Sequence, residues 1–546
     1  MKETENQLGE NNQLINLPNI LNSDILKNCK IWANKNTDLI FDEYKTFDAF
    51  KGYNFAQEYL QKGDRIFFAG AYQDNTLQLL SKSGYYKLVG MDFKEDIYNQ
   101  PNYWKIKFYR GDIINTHLPS NLFKAYFSLS VIEHLDSNGG DIFTMIDRFF
   151  QETARITQND GFLVLTTDYN NISIRKKGAN IFNKVDILKI IDISSNHGFD
   201  LISHLDLDFD INDKPVNWNG YDYTFIFLTF KLHKNIRPVS LDKVNIISPM
   251  KKQDGITIYA ENLKKRFEQV GIQANLVEDY NKCNISYPTI FEYEPTLLQD
   301  IPFNKNIFIE MHSTRATLKN VVGAFVYTHS VNKSLHFFQN LRFIRAHKNN
   351  IIRSSDLASK FFLSLKNYLI MPHIAYPEIG IRANPDDICI GSFGFASPAK
   401  NFDQICELTI RLKVKCVLVL TINNSSENWY ETSSRTIAQL KERYNKYSNI
   451  TMHVGFFTDQ EILKQLSTCS HIIFAENDSG QTSGSYRFPV QLGIPIIATD
   501  TFQARESQVI RVTKLEDIDL QKLQSFKDSI NLEDGFEYLI NILTYR

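Results

Sequence analysis

The chain has 546 residues, 43 % of them hydrophobic, a composition that suits several buried cores and excludes a disordered polymer. Its 60 basic and 62 acidic side chains leave a net charge of −2, so no global field draws it to nucleic acid or acidic lipid. Six cysteines (Cys29, Cys283, Cys389, Cys406, Cys416 and Cys469) stand far apart, none paired at metal-ligand spacing, and read as reduced core residues of a cytosolic protein.

Residues 1–40 are rich in Asn, with a weak helical pattern near Ile25–Trp32, and are expected to form an arm and a leading helix. From 41 to 234 helix and strand alternate. Helical spacing covers Phe47–Gln61, and short apolar runs predict strands at Arg65–Ala69, Lys87–Met91, Trp104–Tyr109, Ala125–Ser130 and Gly161–Thr167. Leu201–Asp208 and Tyr223–Leu232 are expected to end the segment as a hairpin on a mixed sheet edge. A linker at 235–242, containing Arg237-Pro238, leads into a second alternation over 243–373. Its strands are expected at Val244–Ser248, Gln273–Val277, Ile307–Met311, Ala324–Thr328 and Asn367–Met371. A third alternation fills 374–546, with strands at Ile388–Phe393, Val414–Leu420, Ile450–His453, His471–Ala475, Ile494–Ala498 and Val509–Val512. Helices are expected between them at Phe402–Arg411, Arg435–Tyr444 and Asp459–Cys469, and at the end over Gly535–Thr544. Apolar strands separated by helices predict parallel sheets covered on both faces, so the fold class is α/β three times over.

In the first alternation the strand Arg65–Ala69 ends at Gly70-Ala71, and a helix starts near Asn75. The next strand, Leu88-Val89-Gly90-Met91-Asp92, ends in an acid suited to accept hydrogen bonds from two ribose hydroxyls. Gly111-Asp112 ends the third, where an acid can pair with an adenine amino group; Phe127-Ser128-Leu129-Ser130-Val131-Ile132-Glu133-His134-Leu135 follows. In this order the motifs resemble the class I S-adenosylmethionine-dependent methyltransferases over about 41–234. The resemblance implies a Rossmann-like, seven-stranded sheet ending in a hairpin, with a turn before the fifth strand at Asn159-Asp160-Gly161. It implies S-adenosylmethionine (SAM) bound by Gly70, Ala71, Asp92, Asp112, Ser130 and Val131. Glu133 and His134 become the methyl-transfer candidates, as cofactor-orienting groups or base, with a helix-capping pair as the other reading. The family's first loop usually carries two or three glycines and often an upstream acid. Here Gly70 stands alone and Phe68 replaces the acid, so Tyr72 and Asp74 are expected to crowd the methionine end of the cofactor.

The segment 476–500 is the most informative in the chain. After the strand His471–Ala475 comes a polar loop with Thr482, Ser483, Gly484 and Ser485, then a short helix with Arg487, a Gly-Ile-Pro turn and another strand. Small residues before a helix offer unpaired backbone N–H groups and a positive dipole end to a phosphate, although an ordinary N-cap has the same composition. Gly391-Ser392-Phe393-Gly394-Phe395-Ala396-Ser397-Pro398-Ala399-Lys400 follows the same logic, its lysine able to neutralise the same diphosphate. Asp254-Gly255-Ile256-Thr257 reads as a close-approach loop, and His312 follows the strand Ile307–Met311.

With these motifs, residues 243–546 resemble the family-4 glycosyltransferases of the GT-B fold, a pair of Rossmann-like domains. The resemblance implies transfer from a nucleoside-diphosphate sugar, usually with retention and with no metal required. It implies an acceptor loop at Gly255, Ile256 and Thr257, and a donor diphosphate held by Lys400, Thr482, Ser483, Gly484, Ser485 and Arg487. His312, Glu476 and Lys400 become the catalytic candidates. His312 equally reads as a hydrogen-bonded structural histidine, Glu476 as a helix-dipole partner and Arg487 as a partner of a surface carboxylate. Of the two glutamates the family commonly carries, Glu476 stands as the first, and the helix position expected for the second is near Phe488.

The combined expectation is a bifunctional transferase of surface polysaccharide biosynthesis. One part moves a sugar to a glycan, lipid-linked or protein acceptor, and the other methylates with SAM. The alternative is a non-catalytic nucleotide- and glycan-binding protein on a degenerate methyltransferase scaffold. No nucleic-acid partner is expected, since no aromatic–basic interleaving surrounds Glu133. The polar, acidic start (Met1-Lys2-Glu3-Thr4-Glu5) leads us to expect no secretory signal, and no run approaches the ~18 apolar residues of a membrane span. The basic clusters Lys264-Lys265-Arg266 and Arg342, Arg345, Lys348 read first as solvated helix faces. A cytoplasmic location is expected, with peripheral contact at the inner face of the membrane left open.

Overall fold

The computed structural model describes residues 19–36, 45–94, 96–97, 106–207, 213, 216–218, 220–234, 239–248, 255–278, 282, 284, 286–293, 306–311, 344, 347, 349–352, 365, 367–372, 374, 387–422, 427–475, 487–499, 509–527 and 535–545. The chain divides into two compact units, residues 1–102 with 106–238, and residues 239–546 with 103–105.

In the first unit the helices α1 (Ser23–Asn36) and α2 (Lys45–Tyr59) precede β1 (Ile66–Ala69), α3 (Asn75–Lys82), β2 (Leu88–Asp92) and β3 (Lys107–Arg110). Then come β4 (Phe123–Leu129), α4 (Ile142–Ile156), β5 (Thr157–Tyr169), α5 (Lys184–Asn196), β6 (Phe199–Leu201), β7 (Val216–Trp218) and β8 (Tyr221–Leu232). The sheet runs β3-β2-β1-β4-β5-β8-β6. β1 to β5 are mutually parallel, and β8 is antiparallel to both β5 and β6. Every residue of β1 and β2 is buried, as helices on both faces of a parallel sheet require. α4 shows how the covering helices form. Asp141 caps its start by accepting from Thr144 N at 2.9 Å, and Ile142, Ile146, Phe149, Phe150, Thr153 and Ile156 make one buried stripe.

Three sequence expectations change here. The closing hairpin of Leu201–Asp208 with Tyr223–Leu232 is instead a short β6 against the far end of β8. A further strand, β7, pairs with the start of β8 and gives the sheet eight strands among the described residues rather than seven. Asn159-Asp160-Gly161 is not a turn ahead of β5 but a bulge within it. The register jumps from Phe123↔Thr157 to Ala125↔Phe162, and Asp160 takes φ +56°.

On α4, buried Glu152 accepts from Thr116 N at 2.8 Å and from Arg155 Nε and Nη2, both at 2.7 Å. Burial alone would raise its carboxyl pKa; the Arg155 and Thr116 contacts outweigh that and hold it below the ordinary range. The resulting stability is complete above the unfolded pKa and is lost as pH falls through the folded one. Glu152→Gln is therefore expected to cost about 1.5–3 kcal/mol at pH 7. The gap to wild type, read from denaturant midpoints, should close as pH drops below ~4.

The second unit holds two wholly parallel sheets. The first contains β9 (Lys243–Ile247), β10 (Gln273–Val277), β11 (Thr289–Tyr293), β12 (Ile307–Met311), β13 (Asn350–Ile352) and β14 (Leu369–Ile370), ordered β10-β9-β11-β12-β13-β14. α6 (Gly255–Gln269) follows β9. β11 and β13 were not expected, and Ala324–Thr328, expected as a strand, lies outside the described residues. The second sheet has β15 (Cys389–Phe395), β16 (Lys415–Thr421), β17 (Ile450–Gly455), β18 (His471–Phe474), β19 (Ile496–Ala498) and β20 (Val509–Arg511). Its order, β17-β16-β15-β18-β19-β20, is that of dinucleotide-binding sheets, with the topological switch between β15 and β18. Its helices are α7 (Phe402–Leu412), α8 (Glu427–Tyr444), α9 (Asp459–Leu466), α10 (Arg487–Leu492), α11 (Leu520–Lys527) and α12 (Gly535–Thr544). α12 returns to α6, where Phe536 meets Phe267 edge-on at 5.1 Å, and Asn262 of α6 donates to Asp459 of α9 at 3.2 Å. Among the described residues no helix is long and apolar enough to cross a membrane.

Candidate functional site

The switch point of the first sheet lies between β1 and β4, and a cavity of about 950 Å³ opens there. β1 must turn sharply as it leaves the sheet, and Gly70 does so at φ +63°. A Cβ at this position would stand 2.6 Å from Val131 Cγ2. Ala71 N then donates to Met91 O at 3.1 Å, laying the loop on β2. This close approach needs a second glycine that sequence reasoning passed over. A Cβ on Gly90 would strike Ala71 Cβ and the Phe108 ring, both at 2.7 Å.

The glycine-poor remainder of the loop solves the expected crowding locally. Gln73 takes φ +58°, and Asp74 becomes the N-cap of α3, accepting from Leu77 N at 2.8 Å. Burial pushes the Asp74 carboxyl up to about 6. The Tyr72 hydroxyl donates to Asp96 at 2.7 Å, while its ring lies 4.0 Å from Lys94 Nζ. Both side chains still line the cavity, but each is held by a partner of its own.

Asp92 ends β2, buried, accepting from Tyr72 N at 3.2 Å and Lys94 N at 3.1 Å. Asp112 is exposed and accepts from Ile114 N at 3.1 Å in a tight bridge with Asn115. Ser130 takes φ +54°, and its N–H reaches Thr166 Oγ1 at 2.9 Å. Gly70, Asp92, Asp112, Ser130, Val131 and His134 all line the same cavity. Ala71 lies buried just behind it, and Glu133 is buried behind His134.

Glu133 accepts from Thr167 Oγ1 at 2.9 Å, and its Oε1 lies 3.8 Å from His134 Nε2. Burial raises the Glu133 carboxyl above its ordinary range against the pull of His134 and Lys45. His134 is half exposed, with Nδ1 2.7 Å from Gly178 O. A carbonyl only accepts, so Nδ1 carries the proton and the neutral ring keeps its lone pair on Nε2.

Two further cavity residues, Lys45 and Asp48 of α2, were not foreseen as site residues. Lys45 Nζ stands 3.3 Å from Asp48 Oδ2, and Ser130 Oγ donates to the same oxygen at 2.8 Å. Their sequence signal was a lysine and an acid three apart on a helix that otherwise buries Phe47, Ala49 and Phe50. Burial would lower the Lys45 pKa, but the carboxylates of Asp48, Glu133 and Asp168 outweigh it and raise it. Burial and the neighbouring Glu133 push Asp168, near the end of β5, up to about 9. The folded protein thus keeps a proton that the unfolded chain releases above about pH 4, and stability falls as pH climbs from there through the folded value. Asp168→Asn should therefore melt higher than wild type at pH 8, with a smaller gain at pH 5; a lower midpoint at pH 8 would contradict the assignment.

In the second unit, Lys400 ends a 3₁₀ turn (Pro398–Lys400) after β15. Its Cε lies 3.6 Å from where a Cβ on Gly394 would stand, and Gly394 takes φ +138°. The next residue, Asn401, donates to Ala475 O at 2.6 Å, tying the turn to the carboxyl end of β18 at that sheet's switch point. Glu476, Thr482, Ser483, Gly484, Ser485 and His312 lie outside the described residues. Arg487 opens α10. Gly255, Ile256 and Thr257 are not a loop: they form the first turn of α6, with Thr257 buried. Thr257, Tyr259, Ala260, Leu263 and Phe267 already make a helical stripe from this point, which overrides the glycine. Among the described residues no cluster of His, Cys, Asp and Glu is arranged to hold a metal ion.

Residues 69–165 match the family described as "Methyltransferase domain". No curated protein matches the sequence. Solved structures similar to parts of the chain include a SAM-dependent methyltransferase from Methanosarcina mazei, at 12 % identity and TM-score 0.25, covering 33 % of this chain and 97 % of that one. Another is Anabaena HepE, solved with UDP and glucose, at 11 % identity and TM-score 0.33, covering 56 % of this chain and 93 % of that one. A third is TarM, at 13 % identity and TM-score 0.27, covering 46 % of this chain and 49 % of that one. The family match, lying on the strands that build the switch-point cavity, identifies a methyltransferase domain in the first unit.

Proposed function

We propose that the chain is a two-activity transferase that methylates with SAM in its first unit and transfers a sugar from a nucleoside-diphosphate donor in its second. The observation that carries the methyl half is the cavity at the β1–β4 switch. It has a close-approach glycine in its floor, a buried acid at the end of β2 and a second acid after β3. These residues fit an adenosyl ligand: Asp92 would hold the ribose hydroxyls, Asp112 the adenine edge, and Gly70 and Ser130 the backbone turns around the thioether arm. The cofactor, when bound, supplies a methyl group activated on a sulfonium. His134 would take the proton of the accepting group at Nε2, which stands 3.8 Å from Glu133 Oε1.

The sugar-transfer half is supported by the Lys400 turn at the β15–β18 switch of a sheet with dinucleotide-binding order. On this reading the second unit is a GT-B pair of the family-4 type. Lys400, with the backbone and side chains of Thr482, Ser483, Gly484, Ser485 and Arg487, neutralises the departing diphosphate. His312 and Glu476 are the candidates for the reacting sugar, and the first turn of α6, Gly255–Thr257, for the acceptor. A glycan, lipid-linked or protein acceptor shared by both activities fits the fusion, as in surface polysaccharide assembly at the inner face of the membrane. A thermal-shift panel of SAM, S-adenosylhomocysteine and nucleotide sugars tests the ligands, because a ligand of the native state raises its melting temperature. Upward shifts with one compound of each class are expected, and no shift with either adenosyl compound would overturn the methyl half. In a two-donor assay, methylation that ignores every glycan acceptor would sink the shared substrate.

A further inference from the structure

The cavity holds a charged pair that a ribose and an adenine leave without a role. Lys45 and Asp48 lie three residues apart on one face of α2 and both line the cavity wall. Asp48 is only 3 % exposed. Its Oδ2 accepts from Ser130 Oγ at 2.8 Å and faces Lys45 Nζ at 3.3 Å, whereas its Oδ1 is shut off from solvent and accepts no hydrogen bond. A buried carboxylate oxygen of this kind is costly unless a donor reaches it, and a cationic donor satisfies it best. The same α2 face presents the opposite charge beside it, so the pair offers one acceptor and one cation side by side.

The pair is also at a telling distance from the ribose acid. Asp48 is fastened to Ser130 at the end of β4, while Asp92 ends β2, with β1 between them. Two strand spacings separate them laterally, roughly 10 Å at about 4.8 Å each. The furanose ring with its hydroxyls and the thioether arm together span that separation, the arm's four single bonds from the 5′ carbon to the α-carbon covering about half of it.

Building on the SAM reading above, we infer that Lys45 and Asp48 form a zwitterion clamp for the amino-acid end of the adenosyl ligand. Asp48 accepts from the α-ammonium, and Lys45 faces the α-carboxylate. The clamp supplies from a helix the charge that the end of β1 lacks, since Phe68 and Ala69 bring none.

Calorimetry on the full chain tests this with ligands that differ at that end. There S-adenosylhomocysteine carries both charges, decarboxylated SAM keeps only the ammonium, and 5′-methylthioadenosine has neither; decarboxylated SAM also carries a sulfonium, so its affinity is compared only between wild type and variants. Wild type is expected to bind S-adenosylhomocysteine at least ~100-fold more tightly than 5′-methylthioadenosine, as two charge-assisted contacts imply. Asp48→Asn should weaken S-adenosylhomocysteine ~10–100-fold and decarboxylated SAM similarly, while changing 5′-methylthioadenosine less than ~2-fold. Lys45→Gln should weaken S-adenosylhomocysteine but not decarboxylated SAM. Unchanged 5′-methylthioadenosine binding also certifies that each variant is folded. Equal wild-type affinity for S-adenosylhomocysteine and 5′-methylthioadenosine overturns the clamp without any variant, as does an Asp48→Asn loss that falls equally on all three ligands. Wild type that binds 5′-methylthioadenosine but S-adenosylhomocysteine no more tightly leaves the adenosyl site standing and removes the clamp. Binding of none of the three removes the site itself.

Discussion

Gly70→Val will abolish S-adenosylhomocysteine binding, weakening it more than ~100-fold, which corresponds to at least about 2.7 kcal/mol. Two costs add. At φ +63° an L side chain brings its Cβ against the following carbonyl, about 1–2 kcal/mol by itself. The new Cβ would also stand 2.6 Å from Val131 Cγ2, so Val131, part of the cavity wall, has to give way. The second cost can be isolated. Gly70→Ala combined with Val131→Ala removes the clash and keeps the strained backbone, so the double variant should recover part of the binding that Gly70→Ala loses. Full binding by Gly70→Val would show that the ligand does not approach this turn.

Lys400→Ala is expected to lower sugar transfer ~10²–10³-fold, the usual loss when one preorganised charge on a leaving group is removed. The turn that carries Lys400 is fastened by Asn401 to Ala475 O, and no residue of Pro398–Lys400 is buried, so the melting temperature should barely move. Affinity for a nucleoside diphosphate should fall in the same variant, while affinity for S-adenosylhomocysteine stays at the wild-type value. Undiminished turnover would remove Lys400 from the donor site. Equal loss of both ligands would point to a damaged fold instead of a missing charge.

Much of the scaffold was legible because burial in a parallel sheet writes itself as a short apolar run. β10 and β12 have the expected bounds, and β1, β2, β15, β16 and β18 shift by only one or two residues. The two strands of the second unit that escaped notice broke that rule. β11 carries the buried Glu292 next to its last residue, and β13 is three residues long and begins with the buried Asn350. The supposed loop at Gly255 failed for a related reason: one glycine outweighed a helical stripe that begins two residues later. Likewise, Asn159-Asp160-Gly161 has turn composition but sits between two residues that must both pair with β4, so it bulges rather than turns.

By itself the sequence determined three alternating α/β segments, the acid ending β2 and the turns where ligands of such sheets gather, since these depend on local periodicity and on which residues follow a strand. Only the tertiary structure decided what meets across the cavity. Asp48 reaches Ser130 over 82 positions of chain. Gly90 earns its place through Ala71 and Phe108, and His134 receives its tautomer from Gly178. Such contacts are set by strand order and by the path of each crossover. A charge buried on a helix shows in the sequence only as an interruption of its apolar face; the partner that compensates it becomes visible when distant segments are folded together.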